Sequence, residues 1–189
     1  MKVDIFNTSN KYRIIYADPP WQYQDKSCQG AAAKHYKTMT ESDICTLPVA
    51  TISEKDCVLF MWATYPKIEE ALKVIKAWGF QYKTIAFQWI KTNKSLRNGG
   101  SLFLHQKSFF FGLGRWTRGN SECVLLATKG KPKRESNSVS QLVISPLTRH
   151  SEKPQEVRER IKKLMGGGLS IELFARKQED GWDCWGDEV

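Results

Sequence analysis

At 189 residues, 41% of them hydrophobic, the chain is long enough for one domain with a sizeable core and short for two. No apolar run approaches the ~20 residues that span a bilayer, and the opening MKVDIFNTSNKYR lacks the apolar stretch of a signal peptide, so a soluble cytoplasmic protein without membrane contact is expected. The formal net charge is +9, and five cysteines (28, 45, 57, 123 and 184) form no C-x-x-C pair, which argues for reduced thiols and against a zinc knuckle or a disulfide framework.

Taken in chain order, YRIIYA (12–17) is a short apolar run rich in β-branched and aromatic residues and predicts a buried strand. TMTESDICTL opens with Thr40 and has Asp43 three residues on, close to a capping box, which predicts a short helix. CVLFMWAT (57–64) is a second buried strand. The stretch YPKIEEALKVIKAWGF puts Ile68, Ala71, Leu72 and Ile75 on one face, with Pro66 early and Gly79 late as start and stop marks of a helix. KTIAFQWIK (83–91) and ECVLLAT (122–128) read as strands, and GKPKRESNS as a polar loop. SEKPQEVRERIKKLMGGG (151–168) carries Val157, Ile161 and Leu164 on one face, Glu156/Arg160 and Glu159/Lys163 as i,i+4 pairs, and glycines to end it. LSIELFAR (169–176) is the last strong strand. Strands of continuous apolar character separated by helices predict an α/β fold with a mostly parallel sheet covered on both faces, and ligands then bind beyond the carboxyl ends of the strands.

The whole charge excess falls between Lys91 and Arg134, where ten Lys/Arg stand against a single acid, Glu122. The same segment carries Phe103, Phe109, Phe110, Phe111 and Trp116 on glycine-rich backbone, a composition suited to phosphate contact and base stacking, although a solvated basic surface over a Phe-rich strand fits it as well. Competing signatures fail. GLGRWTRG begins as G-x-G and does not continue to a dinucleotide fingerprint. There is no phosphate-binding P-loop, no G-x-S-x-G and no H-E-x-x-H, and His35, His105 and His150 are scattered, so no metal site is expected.

YADPPWQY (16–23) is different. Where the first strand runs out, two prolines that cannot continue it follow an acid and precede a tryptophan. The exocyclic amine of adenine is a poor nucleophile because its lone pair is delocalised into the ring. A carboxylate oxygen of Asp18 and the Pro19 carbonyl can hold both N–H protons and draw the nitrogen toward a pyramidal form. Pro20 fixes the carbonyl, and Trp21 offers a stacking face worth about 1–3 kcal/mol. Read without wider context, the same tetrapeptide is a strand-ending acid, a Pro-Pro turn and a core tryptophan.

With DPPW in place, the chain resembles the MT-A70-type adenine-N6 methyltransferases, which use S-adenosylmethionine and release S-adenosylhomocysteine. The resemblance runs over about residues 11–188 through HYKTMTESDI, VLFMWAT, FQWIKTN, GLGRWTRGNSECVLLATKG, SEKPQEV, IELFAR and a trailing WGDE, in that order. It implies a Rossmann-like methyltransferase fold in circularly permuted motif order within a single domain, residues 1–189. It implies that Asp18, Pro19, Pro20 and Trp21 handle the target amine and base. It further implies that Asp18, Lys153, Phe174, Arg176, Gln178, Glu179, Asp187 and Glu188 meet the cofactor, Lys153 through its carboxylate. Glu172 and Phe174 are placed on one face of the last strand by alternation. Tyr36, Lys91, Arg115, Arg118 and Glu122 match positions bordering the substrate groove.

The well-known eukaryotic members carry His-Asn at the Gln178-Glu179 positions and Asn-Gln at Asp187-Glu188; carboxylates there still accept hydroxyl hydrogen bonds. The expected substrate is nucleic acid, DNA favoured over RNA from the compact, bacterial- or phage-like architecture. A homodimer or a heterodimer with a related subunit is the expected assembly. The rival readings are an RNA methyltransferase, a non-catalytic nucleic-acid-binding subunit, and a methyltransferase for a small amine. An intact DPPW with Lys153 argues against the second, and the local charge against the third.

Overall fold

The computed structural model describes residues 1–23, 38–93, 108–112, 114, 116–148, 152–187 and 189. Tyr36, Arg115, Glu188 and Cys28 lie outside the described residues. Among the described residues seven strands form one sheet: β1 (Tyr12–Ala17), β2 (Ser53–Ala63), β3 (Gln81–Thr92), β4 (Ser121–Lys129), β5 (Leu142–Pro146), β6 (Ser170–Leu173) and β7 (Asp183–Trp185), in the order β5-β3-β4-β2-β1-β6-β7. Pairing is parallel for β1 with β2 and β6, β3 with β5, and β6 with β7. Among the described strands only β4 is reversed, antiparallel to both β2 and β3. The start of β4 therefore lies at the edge where the other strands end.

Among the described residues four helices cover the sheet: α1 (Glu41–Cys45), α2 (Val49–Ile52), α3 (Ile68–Ala77) and α4 (Gln155–Met165). Alternation sorts the core into two halves. Ile15, Leu59, Met61, Leu125 and Ile171 point to one face, where Ile44, Val49, Ala71 and Val74 of α1 to α3 pack on them. Ile14, Tyr16, Phe60, Trp62 and Val124 point to the other, against Val157, Ile161 and Met165 of α4. Each buried Ile, Leu or Val contributes about 1.5–3 kcal/mol by leaving water, and β1 is closed on both sides and both faces. This is a Rossmann-like α/β fold, as expected. Among the described residues no helix is long and apolar enough to cross a membrane.

Local signals explain the boundaries. The Thr40 side chain accepts from the Asp43 N–H at 3.1 Å and its hydroxyl donates to the Asp43 carboxylate at 2.7 Å, so the capping residue starts α1. A 3-10 turn at Tyr65–Lys67 precedes α3, and Gly79, at φ +81°, follows its end. Three details differ from expectation. Leu72 is 37% exposed; the buried side of α3 is Ala71, Val74 and Ile75, followed by Trp78. β5 and β7 were not foreseen. β6 stops at Leu173, and Phe174 turns out of the strand with φ +62°.

Candidate active site

Asp18 follows directly on β1, and its N–H donates to the Leu173 carbonyl at the end of β6 (3.4 Å), which ties the two strand ends together. The prolines then hold the chain in a short turn. Pro19 C=O accepts the Trp21 N–H at 2.9 Å, Pro20 C=O accepts the Met39 N–H at 2.9 Å, and the Gln22 N–H returns to the Met39 carbonyl at 3.2 Å. The tetrapeptide is therefore stitched to the segment that leads into α1. Trp21 departs from the expectation of an open stacking face. Its side chain is 6% exposed within the core under α1 to α3, and Nε1 donates to the Trp62 carbonyl at 3.3 Å. The indole faces the core because the Pro20–Met39 pairing turns position 21 inward; it braces the turn from below.

Above that turn lies a row of alternating charges. Lys153, from the loop before α4, places Nζ 2.8 Å from Asp18 Oδ2 and 3.6 Å from Glu122 Oε2, and Lys91 pairs with the other oxygen of Glu122. Asp18 ends β1, Lys91 lies near the end of β3, and Glu122 lies near the start of the reversed β4, so the topology gathers the row at one edge. Its floor is aromatic: Lys153 Nζ sits 5.4 Å from the Trp62 ring centre and Lys91 Nζ 5.0 Å from that of Trp89, with the two indoles edge to face at 6.0 Å. Lys153 is only 8% exposed.

Burial raises the Asp18 carboxyl above its ordinary range, and Lys153 offsets this only in part. Burial acts the same way on Glu122, but Lys153 and then Lys91 outweigh it and hold that carboxyl below its ordinary range. Burial disfavours the Lys153 ammonium, yet Asp18 and Glu122 hold its proton more tightly than an ordinary lysine does.

Beneath the row is a layer that the sequence reading missed. Arg158 on α4 donates from Nε and Nη2 to the two oxygens of Glu172 on β6, at 2.7 and 2.5 Å. Its guanidinium carbon lies 5.2 Å from the Tyr16 ring centre, and the Tyr16 hydroxyl accepts the Trp62 indole N–H at 2.5 Å. Glu172 inside an otherwise apolar strand was the available signal: a buried carboxylate demands a cation from the element packed over it.

The remaining positions expected to meet a cofactor cluster around β6 and β7. Glu172 and Phe174 do not share a face. Glu172 faces α4, while the left-handed backbone at Phe174 sends its ring to the opposite face, 5.4 Å from Trp185. Such a conformation in a residue with a Cβ costs about 1–3 kcal/mol and persists only where surroundings enforce it. Here Ala175 N–H donates to the Trp185 carbonyl at 2.9 Å, and a Cβ on Gly186 would lie 2.7 Å from the Ala175 nitrogen. Arg176, Gln178 and Asp187 are exposed, with Asp187 just past β7. Glu179 accepts from Gln155 Nε2 at 3.2 Å and pairs with Lys177 at 2.6 Å. Gln178 and Glu179 also line a cleft of about 480 Å³, but it opens by Gly168–Ser170 and Asp183, where β6 and β7 begin, at the far edge from Asp18. Arg118 is exposed on the segment between β3 and β4.

The model of the family described as MT-A70 matches residues 12–188. Among known proteins, the Mycoplasma sp type II methyltransferase M.MunI is 36% identical to this chain, over 95% of the chain and 78% of that protein. An Arabidopsis thaliana N(6)-adenosine-methyltransferase MT-A70-like protein is 25% identical over all of the chain and 25% of its own length. The human N(6)-adenosine-methyltransferase catalytic subunit METTL3 is 24% identical over 95% of the chain and 28% of its own length. The chain thus spans about a quarter of the plant and human relatives and most of the Mycoplasma one. The match covers all seven strands and reaches from Asp18 to Asp187, and the chain belongs to the MT-A70 family.

Proposed function

We propose that the protein transfers a methyl group from S-adenosylmethionine to the N6 amine of adenine in nucleic acid. The observation that carries this reading is the 2.8 Å pairing of Asp18 with Lys153, residues 135 apart in the chain, at the edge where β1 and β6 both end. DNA is the proposed polymer, because the type II methyltransferase is the relative whose length this chain nearly spans. The chain acts as one methyltransferase domain in the cytoplasm, alone or paired with a second copy or a related subunit.

The residues at hand fit the cofactor's chemistry. Lys153 supplies a buried ammonium for a carboxylate. Phe174 and Arg176 follow β6 and Asp187 follows β7, and the missing side chain at Gly186 lets those turns close on each other; Gln178, Glu179 and Glu188 are the further proposed cofactor contacts. S-adenosylmethionine, when bound, supplies a methyl group on a sulfonium sulfur that leaves as a neutral thioether.

Asp18 accepts one N–H of the target amine. The Pro19 carbonyl, whose second lone pair is left over by Trp21, accepts the other. Both contacts orient the nitrogen lone pair before reaction, and positioning of this kind supplies most of the rate gain. Lys153 opposes the upward push that burial exerts on the Asp18 carboxyl and fixes its position, and Glu122 with Lys91 holds Lys153 in place. Pro20 and Trp21 keep the turn from relaxing. Tyr36, Arg115 and Arg118 are the proposed contacts to the polymer around the target.

The test is incubation with isotopically labelled S-adenosylmethionine and unmethylated DNA or RNA, followed by mass spectrometry of the nucleosides. Labelled N6-methyladenine from DNA is expected, and Asp18→Ala abolishes it. Cofactor binding with no methylated nucleoside from either polymer overturns the reading.

A further inference from the structure

Between β3 and β4 the described stretches 108–112 and 116–120 lie close to each other and to the end of β3. Phe109 bridges antiparallel to Thr92, the Phe110 N–H donates to the Lys91 carbonyl at 2.9 Å, and the Lys91 N–H donates to the Asn120 carbonyl at 2.8 Å. Further out, the Gly112 N–H donates to the Gly119 carbonyl at 2.9 Å. Two glycines permit this approach: a Cβ at Gly112 would run into the Gly119 carbonyl oxygen and one at Gly114 into that of Thr117. Trp116 is 98% exposed, with Phe111, 55% exposed, on the other stretch and Arg118 two residues on.

Tryptophan is the residue with most to gain from leaving water, and an indole that the fold leaves almost wholly solvated is open to a partner with a flat apolar face. Exposed Arg118, two residues on, sets a cation beside the indole, which suits a polyanion that carries flat bases. The second stretch also leads to the candidate active site. Glu122 is six residues from Trp116, so the indole lies within ~20 Å of the charged row even with the chain fully extended.

Within the proposed methylation, an adenine inside a duplex cannot present its amine to Asp18 until it leaves the stack, which costs its pairing and stacking. The opened step is an apolar gap, and proteins that hold such a step open fill it with an apolar side chain. We propose that Trp116 is that wedge: its indole enters the base stack of duplex DNA beside the target adenine and holds the gap while the base is in the site. This inference rests on the methyltransferase reading.

PCR-amplified DNA, which carries no N6-methyladenine, is offered to the wild-type chain and to Trp116→Ala, either as duplex or after heat denaturation, and initial methylation rates are compared. The residue is fully exposed, so thermal unfolding of the variant matches the wild type. Expected is a loss of about tenfold or more on duplex DNA with a change within about twofold on denatured DNA, and recovery of most of the duplex rate in Trp116→Phe. Equal losses on the two forms overturn the wedge, because stacking on an unpaired strand does not distinguish them. An unchanged duplex rate overturns it as well. A wild-type chain that methylates neither form overturns DNA as the substrate, and the wedge with it.

Discussion

Replacing Arg158 by alanine removes one half of a bidentate pair whose other half, Glu172, is 4% exposed on a central strand. With the guanidinium gone, Glu172 keeps Arg158's neighbours and gains no new cation. Breaking a buried pair from one side costs about 3–5 kcal/mol, because the surviving charge is left without compensation. For a chain of this size each kcal/mol moves the melting temperature by about 2–4 °C, so the expected drop at pH 7 is about 6–20 °C. Burial already raises the Glu172 carboxyl, and Arg158 pulls it back only in part. In Arg158→Ala the carboxyl rises further, becomes protonated as pH falls, and the gap to the wild type narrows at pH 5 relative to pH 7. The double variant Arg158→Met with Glu172→Leu, which leaves no charge behind, recovers most of the loss. Circular dichroism melts at the two pH values are the assay. A drop under about 3 °C at pH 7, or a gap that widens on acidification, refutes the reasoning.

Glu122→Gln tests the charged row. In the wild type this carboxyl is held below its ordinary value of 4.5 by Lys153 and Lys91, so its contribution to stability is present above pH 4.5 and is lost as pH falls through the lower folded value; urea unfolding between pH 5 and 3 is expected to lose stability more steeply in the wild type than in the variant, and equal slopes refute the assignment. Gly186→Ala places a methyl against the Ala175 backbone where the β6 and β7 turns meet, and cofactor affinity measured by calorimetry is expected to fall at least about tenfold while Trp116-dependent DNA contacts are untouched; unchanged affinity removes that turn from the cofactor site.

The strands that carry the site announce themselves in the sequence because they are buried on both faces: YRIIYA and CVLFMWAT are continuous apolar runs, and DPP marks where the first must stop. β5 and β7 escape notice for the opposite reason. Leu142 and Ile144 alternate with buried Val143 at the sheet margin, and β7 is three residues set among glycines and acids. The direction of β4 is invisible in ECVLLAT, since a buried strand has the same composition either way; only its partners reveal it. The charges at 91, 122 and 153 can be picked out one by one, but that they form one row follows from that reversal. Trp21 shows the limit of local reading: the tetrapeptide identifies a rigid turn and leaves the side of the indole to a pairing with Met39. Arg158 reads as one more cation on a charged helix until Glu172 is placed across from it.

Because β3 and β4 are neighbours running in opposite directions, the end of β3 and the start of β4 stand side by side on one rim of the sheet, and the chain between them leaves and returns there. Inserting, trimming or exchanging that span shifts no strand, and lengthening a loop costs little in closure entropy. Asp18 and Lys153, supplied by other connections, stay where they are. A lineage built on this plan can vary what it presents between β3 and β4 while inheriting the pairing of Asp18 with Lys153 intact.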